Sequence, residues 1–312
     1  MRSAWVDAGL PEPVGTVWVS VMETTKRLEE VMPWLEMWAR IPLLRTSTLV
    51  VVGGGVLTDM AGLGAALYMR GISWHAWPTT MLAQVDAGLG GKTGVDLEAG
   101  KNLVGFFHAP EQMVVCRSFL NTLTERQLTS GRWEIFKMAL IYGDCHWAES
   151  LLNNGVPEMD IVIRSLTAKA TIVGRDFLES GERRLLNLGH TLGHALEVKS
   201  GYQLTHGEAV GLGSLAACCL ASHVGLPSFS HSFLRRTAAK LAPLMSMLPT
   251  WVSCLEQLYL DKKCVFDTND LLKKKIYCIL PQPNSIAVQL LLSPEDWSFA
   301  YKQMVDLMMA ES

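Results

Sequence analysis

The stretch TLVVVGGGVLTDMAGLGAALYM, residues 48–69, limits the possible folds more than any other part of the chain. A β-branched run, TLVVV, meets three glycines, and a helical pattern, LTDMAGLGAALYM, follows directly. Glycines let a backbone approach a ligand closely, and the helix start behind them offers unpaired N–H groups to a phosphate. The spacing differs from the GxGxxG dinucleotide fingerprint. A short apolar run, SWHAW, comes next, then the turn Pro78–Thr80, and QMVVC (112–116) reads as a further strand. Strand, glycine turn, helix, strand is the order of a parallel α/β sheet.

From about Thr124 the pattern becomes helical. Apolar periodicity predicts helices over 124–141, 158–174, 183–199, 206–224, 230–241 and 294–310. KKKIYCIL and SIAVQ, separated by PQPN, read as a small hairpin near the end. At 312 residues, two domains are expected. The division is set near residue 123: an α/β nucleotide-type domain over 1–123 and a mainly α-helical domain over 124–312.

Composition narrows the function classes. Apolar residues make up 49% and charged residues 18%, which is globular rather than disordered. A net charge of -3 gives no field for nucleic acid, so anion binding must come from local Lys and Arg clusters. The seven cysteines are odd in number, irregularly spaced and without CxxC. That argues against a disulfide framework or a cysteine zinc site, and for a reducing, cytoplasmic setting. MRSAWVDAGLPEPVG shows no signal-peptide pattern. The apolar runs 48–69 and 209–226 are broken by glycines and by Asp59 or His223, so both read as buried core and no membrane is expected as a partner.

Three of the eight histidines crowd into NLGHTLGHALEVKSGYQLTHGEAVG, residues 187–211. His190 and His194, four apart, share one helical face, and His206 opens the next helix. Imidazole is the commonest zinc ligand, and catalytic zinc keeps three protein ligands and an open position. SGRWEIFKMALI offers Glu134 as a carboxylate ligand, with Lys137 three residues on. A single helical histidine is more simply a hydrogen-bonded core residue, the reading that suits His75 and His223. GHxxGH followed by HGE is different, because glycines in a helix need a reason. Arg183 and Asn187 lie seven and three residues before His190, on its expected helical face, and Lys169 lies one helix earlier. The glycine-rich stretch 83–105 adds Lys92, Lys101 and Asn102, read as a pocket loop against the plainer reading of a solvated one. Cations around a metal motif suit an anionic, oxygenated substrate.

Together these segments resemble the 3-dehydroquinate synthase family, one of the sugar-phosphate cyclases. GGGVLTDMAG, YMRG, PTTMLAQVD, GGKTG, GKNLVGFFHAP, LNTL, ExxK, NLGHTLGHALE and HGEAV occur in the family's order, from about Glu23 to the C-terminal hairpin. The resemblance implies Zn2+ (or Co2+) held by Glu134, His190 and His206, with His194 in the active site but not a ligand. It implies catalytic roles for His194, Lys137, Lys92, Asn187, Arg183 and Asp86. The substrate pocket maps onto Arg70, Lys92, Lys101, Asn102, Lys169, Arg183 and Asn187, with Lys262 or Lys263. NAD contacts map onto Glu23, Lys26, Gly54, Gly55, Val56, Asp59, Thr79, Thr80, Lys92, Lys101, Phe119, Leu120, Asn121 and Thr122.

The implied reaction converts 3-deoxy-D-arabino-heptulosonate 7-phosphate to 3-dehydroquinate and phosphate. It runs through transient oxidation by NAD, phosphate elimination, re-reduction, ring opening and aldol closure. A homodimer is the family expectation. Four departures stand out: about 47 residues before TLVVV, so that an opening strand or two is expected to be missing; Asp96 after TGV, where the family often has Asn; Cys116 for an acidic residue; and Trp133 for a small residue beside Glu134. The rival readings are an inosose or valiolone synthase, an NAD-dependent polyol dehydrogenase of the glycerol-dehydrogenase type, and a metal-holding scaffold. GGKTG, GKN and FHAP favour dehydroquinate synthase over the other cyclases, as does Arg183 as a carboxylate partner.

Overall fold

The structure, a computed structural model, describes residues 12–41, 43–98, 100–153, 155–260, 264–266 and 274–311. Packing gathers them into two units. The first runs to Pro78 and resumes over Gly91–Val114; the second takes Thr79–Gly90 and everything from Val115 onward. The two units are therefore interleaved in the chain, with crossings after Pro78, Gly90 and Val114. The cause is apolar: Met81 and Val85 are fully buried in the core of the helical unit, so the segment carrying them belongs there.

In the first unit, α1 (Leu28–Arg40) buries Val31, Trp34 and Trp38, one helical face. β1 (Thr48–Gly53), α2 (Gly55–Leu67) and β2 (Ser73–Pro78) form the expected strand–helix–strand unit. β1 and β2 pair in parallel from Thr48↔Ser73 to Gly53↔Pro78. α2 is buried over Met60–Ala65, as a crossover helix covering a sheet must be.

Residues 92–107, read as pocket loop from their glycines, are instead an antiparallel hairpin of β3 (Lys92–Leu97) and β4 (Gly100–Phe107). Gly94 faces Gly105 across the strands, and a Cβ on Gly105 would lie 2.3 Å from the Thr93 carbonyl oxygen. The glycines here permit close backbone approach rather than a flexible loop. QMVVC contributes only β5 (Gln112–Met113), parallel to β2, so the sheet order is β1-β2-β5 among the described residues.

The second unit is built on α3 (Glu125–Ile141), with α4 (Cys145–Ser150), α5 (Met159–Arg175), α6 (His190–Lys199), α7 (His206–His223), α8 (His231–Leu241) and α9 (Trp251–Leu260). β6 (Cys264–Phe266), β7 (Lys274–Gln282) and β8 (Ser285–Leu292) form an antiparallel sheet that includes the expected hairpin, and α10 (Pro294–Met309) closes the chain. α3 is buried on all sides over Ser130–Ile141 and α7 over Gly207–Ala221, so these two are the central helices. Thr124 with Gln127 and Thr205 with Glu208 form capping boxes that fix where α3 and α7 begin.

The helix expected over 183–199 is broken. Glu182–Asn187 is a short 3-10 turn, and α6 starts only at His190. Gly189, between them, is left-handed at φ 76, and a Cβ there would meet Ser214 Oγ at 2.5 Å. Arg183 and Asn187 therefore do not share the helical face of His190. No helix among the described residues is long and apolar enough to cross a membrane.

Candidate metal centre and its charged surroundings

Glu134 projects from the buried middle of α3, His190 opens α6 and His206 opens α7. Close helix approach brings them together. A Cβ on Gly193 would lie 3.0 Å from the Ala209 carbonyl oxygen, and one on Gly207 would lie 1.9 Å from that of Ser130. Glycine is required at 207, and at 193 a side chain would push against the backbone of α7, which supplies the reason for glycines inside GHTLGH and HGE.

The three ligand atoms lie within 4.8 Å of one another. Nε2 of His190 is 3.6 Å and Nε2 of His206 3.2 Å from Glu134 Oε1. Donors bound tetrahedrally at ~2.1 Å stand about 3.4 Å apart, so the spacing fits a zinc-sized ion. Proton positions fit as well. His190 Nδ1 lies 3.0 Å from the Leu188 carbonyl oxygen, which can only accept, so Nδ1 carries a hydrogen and Nε2 is the nitrogen turned to the triad. Both Glu134 oxygens are buried without a well-directed hydrogen bond among the described residues, which leaves lone pairs for a cation. His194 stands beside the triad, its ring 5.3 Å from that of His190 and 6.2 Å from that of His206.

Charge is dense around Glu134. Lys137 Nζ lies 2.5 Å from Glu134 Oε2 and 3.8 Å from Asp86 Oδ1, while Lys169 Nζ lies 2.5 Å from the same Asp86 oxygen. Burial opposes ionisation of Asp86, but Lys169 and Lys137 outweigh it and hold the carboxyl well below its usual range. Burial likewise opposes the charge on Lys137, yet Glu134 and Asp86 raise its pKa. Lys169 is lowered, by burial first and then by Lys137, in spite of Asp86. Burial also acts against a proton on His206, but the Glu134 and Glu197 carboxylates push its pKa up to about 10.

A metal ion must displace the proton that keeps His206 charged beside Glu134 and Glu197. Metal affinity should therefore fall with acid, by about tenfold per pH unit over roughly pH 6–8, with about one proton released per ion. Calorimetry in buffers of different ionisation enthalpy checks this; a pH-independent affinity would remove His206 from the ligand set.

Arg183 is 2% exposed. Its Nη2 donates to the Gly90 carbonyl oxygen at 2.8 Å and its Nη1 to that of Phe177. Gly90 sits at φ 114, a conformation that favours glycine, and a Cβ there would also lie 2.7 Å from Nη2. Asn187 Nδ2 donates to Glu179 Oε1 at 2.8 Å. Thr79 and Thr80 lie in this second unit, as do Phe119, Leu120, Asn121 and Thr122 on a 3-10 turn. Lys262 and Lys263 lie outside the described residues. Two carboxylates overlooked in the sequence also appear. Glu197 Oε2 stands 3.3 Å from His206 Nδ1, and Glu208 pairs with Arg126 of α3 at 2.7 Å. Glu197 had a usable signal, its place seven residues after His190.

In the first unit, Gly54 caps the start of α2, ahead of Gly55, Val56 and Asp59. Lys26 Nζ reaches Asp59 Oδ2 and Asn102 Oδ1, both at 2.6 Å, and Lys101 pairs with Glu23 at 2.9 Å. Asp96 Oδ1 accepts from the Asn102 N–H at 2.7 Å, fixing its left-handed turn. Lys92 is exposed at the start of β3, and Arg70 ends a tight turn at φ 64.

Comparison with known proteins gives consistent matches. A family model described as 3-dehydroquinate synthase N-terminal matches residues 16–130, and one described as 3-dehydroquinate synthase C-terminal matches 131–264. The chain is 44% identical to a 3-dehydroquinate synthase of Latilactobacillus sakei over 62% of its own length and 56% of the relative's. It is 39% identical to one of Xylella fastidiosa over 77% of its length and 70% of the relative's. Among solved structures, it resembles a 2-deoxy-scyllo-inosose synthase complexed with carbaglucose-6-phosphate, NAD+ and Co2+ (TM-score 0.80, 25% identity, 93% of this chain and 82% of that one). It also resembles a 2-epi-5-epi-valiolone synthase of Streptomyces hygroscopicus with NAD+ and Zn2+ bound (TM-score 0.73, 26% identity, 92% and 82%).

Proposed function

The chain belongs to the 3-dehydroquinate synthase family, and from that premise we propose that it converts 3-deoxy-D-arabino-heptulosonate 7-phosphate to 3-dehydroquinate and phosphate. The observation that carries this reading is the convergence of Glu134, His190 and His206 beside Lys137, Asp86 and Lys169. Bound by the triad, Zn2+ (or Co2+) would supply Lewis acidity to a substrate hydroxyl, and NAD would supply a hydride acceptor restored within each turnover.

The chain's own residues do the rest. Asp86 stays ionised between two ammonium groups, so it holds them in place rather than donating a proton. Lys137 keeps its charge and binds anionic oxygen. Lys169, with its proton loosened by burial, is suited to an anion that restores its charge. His194, adjacent to the triad, moves a proton, and Asn187 positions a hydroxyl. Arg183, held by two carbonyl groups, presents a fixed guanidinium to the substrate carboxylate. Lys92, Lys101, Asn102 and Arg70 complete the phosphate and carboxylate contacts, with Lys262 or Lys263. Glu23, Lys26, the turn from Gly54 to Asp59, Thr79, Thr80 and the turn from Phe119 to Thr122 serve NAD. The domains are proposed to act as nucleotide and metal modules, the protein as a cytoplasmic homodimer.

The test is phosphate release from the heptulosonate phosphate with NAD and zinc present, while NADH absorbance is followed. Phosphate without net NADH is the expected result. Release from glucose 6-phosphate instead would move the substrate to the inosose type. NADH accumulating with a polyol, and no phosphate, would replace the proposal with a dehydrogenase.

A further inference from the structure

Two carboxylates approach His206, one at each ring nitrogen. Glu134 Oε1 stands 3.2 Å from Nε2 and Glu197 Oε2 stands 3.3 Å from Nδ1. Glu197 lies on α6, two helical turns after His190 and on its face, with a side chain 10% exposed. One helix therefore supplies His190 to the triad and reaches the other imidazole with Glu197. The two imidazoles are not held alike. His190 Nδ1 donates to a neutral carbonyl oxygen, that of Leu188, at 3.0 Å. His206 Nδ1 faces an anion, and a charge-assisted hydrogen bond is the stronger and makes Nε2 the better donor.

We propose that Glu197 is a positioning residue of the metal site: it accepts from Nδ1–H of His206 and fixes the ring so that Nε2 faces Glu134 Oε1. The inference rests on the reading that the triad holds a metal ion. A carboxylate that only tied α6 to α7 would affect stability alone. One that holds the ring's Nδ1–H and its orientation must affect metal affinity and the ring itself.

The experiment compares the full chain with Glu197→Ala and Glu197→Gln. Zn2+ affinity of metal-stripped protein is measured by competition with a chromophoric chelator, stability by urea unfolding, and the His206 Nδ1–H hydrogen bond by ring 1H and 15N NMR without metal. Glu197→Ala should weaken Zn2+ binding about 10- to 100-fold and lose the downfield, slowly exchanging Nδ1–H signal. Glu197→Gln, whose amide oxygen still accepts from Nδ1, should keep that signal and recover part of the affinity. Wild-type affinity in Glu197→Ala would overturn the proposal. So would losses in both variants that track unfolding while the ring signal is unchanged. If the wild-type chain itself fails to bind Zn2+, the triad reading fails, and the ring NMR still decides what Glu197 does.

Discussion

His190→Ala is expected to lose its metal and its turnover together. The side chain is buried at the start of α6, 3.6 Å from Glu134 Oε1, with its tautomer fixed by the Leu188 carbonyl. Truncation leaves Glu134 and His206 as a two-donor remnant. If a protein zinc site worth ~10–16 kcal/mol shares that free energy among about four donors, each is worth about 2.5–4 kcal/mol, roughly 60- to 700-fold in affinity. Elemental analysis after dialysis should therefore find the variant essentially free of zinc, with phosphate release at background. His194→Ala is the control. Its ring is 5.3 Å from that of His190 but outside the triad, so zinc should stay bound while turnover falls by about 10²–10⁴, the usual weight of a proton-transfer group. Full zinc content in His190→Ala would remove the triad as the metal site.

The parts of this site legible in the sequence are those fixed by local spacing. His190 and His194 are one helical turn apart, and His206 opens the next helix of the pattern. TLVVV and its three glycines likewise dictate β1, the turn and α2. What was not legible depends on distant partners. The break at Gly189 follows from the approach of α7, whose Ser214 lies against it. Arg183 takes its place from the carbonyl of Gly90, 93 residues away in the chain. The hairpin over 92–107 was hidden because its glycines face each other across two strands. The grouping of Met81 and Val85 with the helical unit is a packing outcome that no local pattern announces. Glu197 was visible by spacing alone, but a carboxylate at the end of a helix is ordinarily a solvated one.

Gly213→Ala is expected to be among the most damaging single methyl groups that can be added to this protein. α7 carries Gly207, Gly211 and Gly213, and each glycine inside a helix costs about 1 kcal/mol relative to alanine. The compensation is contact. A Cβ on Gly213 would lie 1.9 Å from the Gly189 carbonyl oxygen and 3.0 Å from the Gly193 amide nitrogen. Both are backbone atoms, so no side-chain rotation relieves the clash, and α7 must retreat from α6. Overpacking a core typically costs ~1–3 kcal/mol; a forced separation of two central helices should reach about 3 kcal/mol or more. The same retreat carries His206 away from His190 and Glu134, so zinc affinity should fall with stability. Urea unfolding of metal-free protein and chelator competition read the two effects separately. Gly174→Ala is the matched control: it lies within α5, a Cβ there meets nothing within 4 Å, and alanine should be neutral or stabilise by about 0.5–1 kcal/mol. If Gly213→Ala matched that control in stability and zinc affinity, the glycines would not be what sets the distance between the two histidine-bearing helices, and the account of how this chain assembles its metal centre would fail with them.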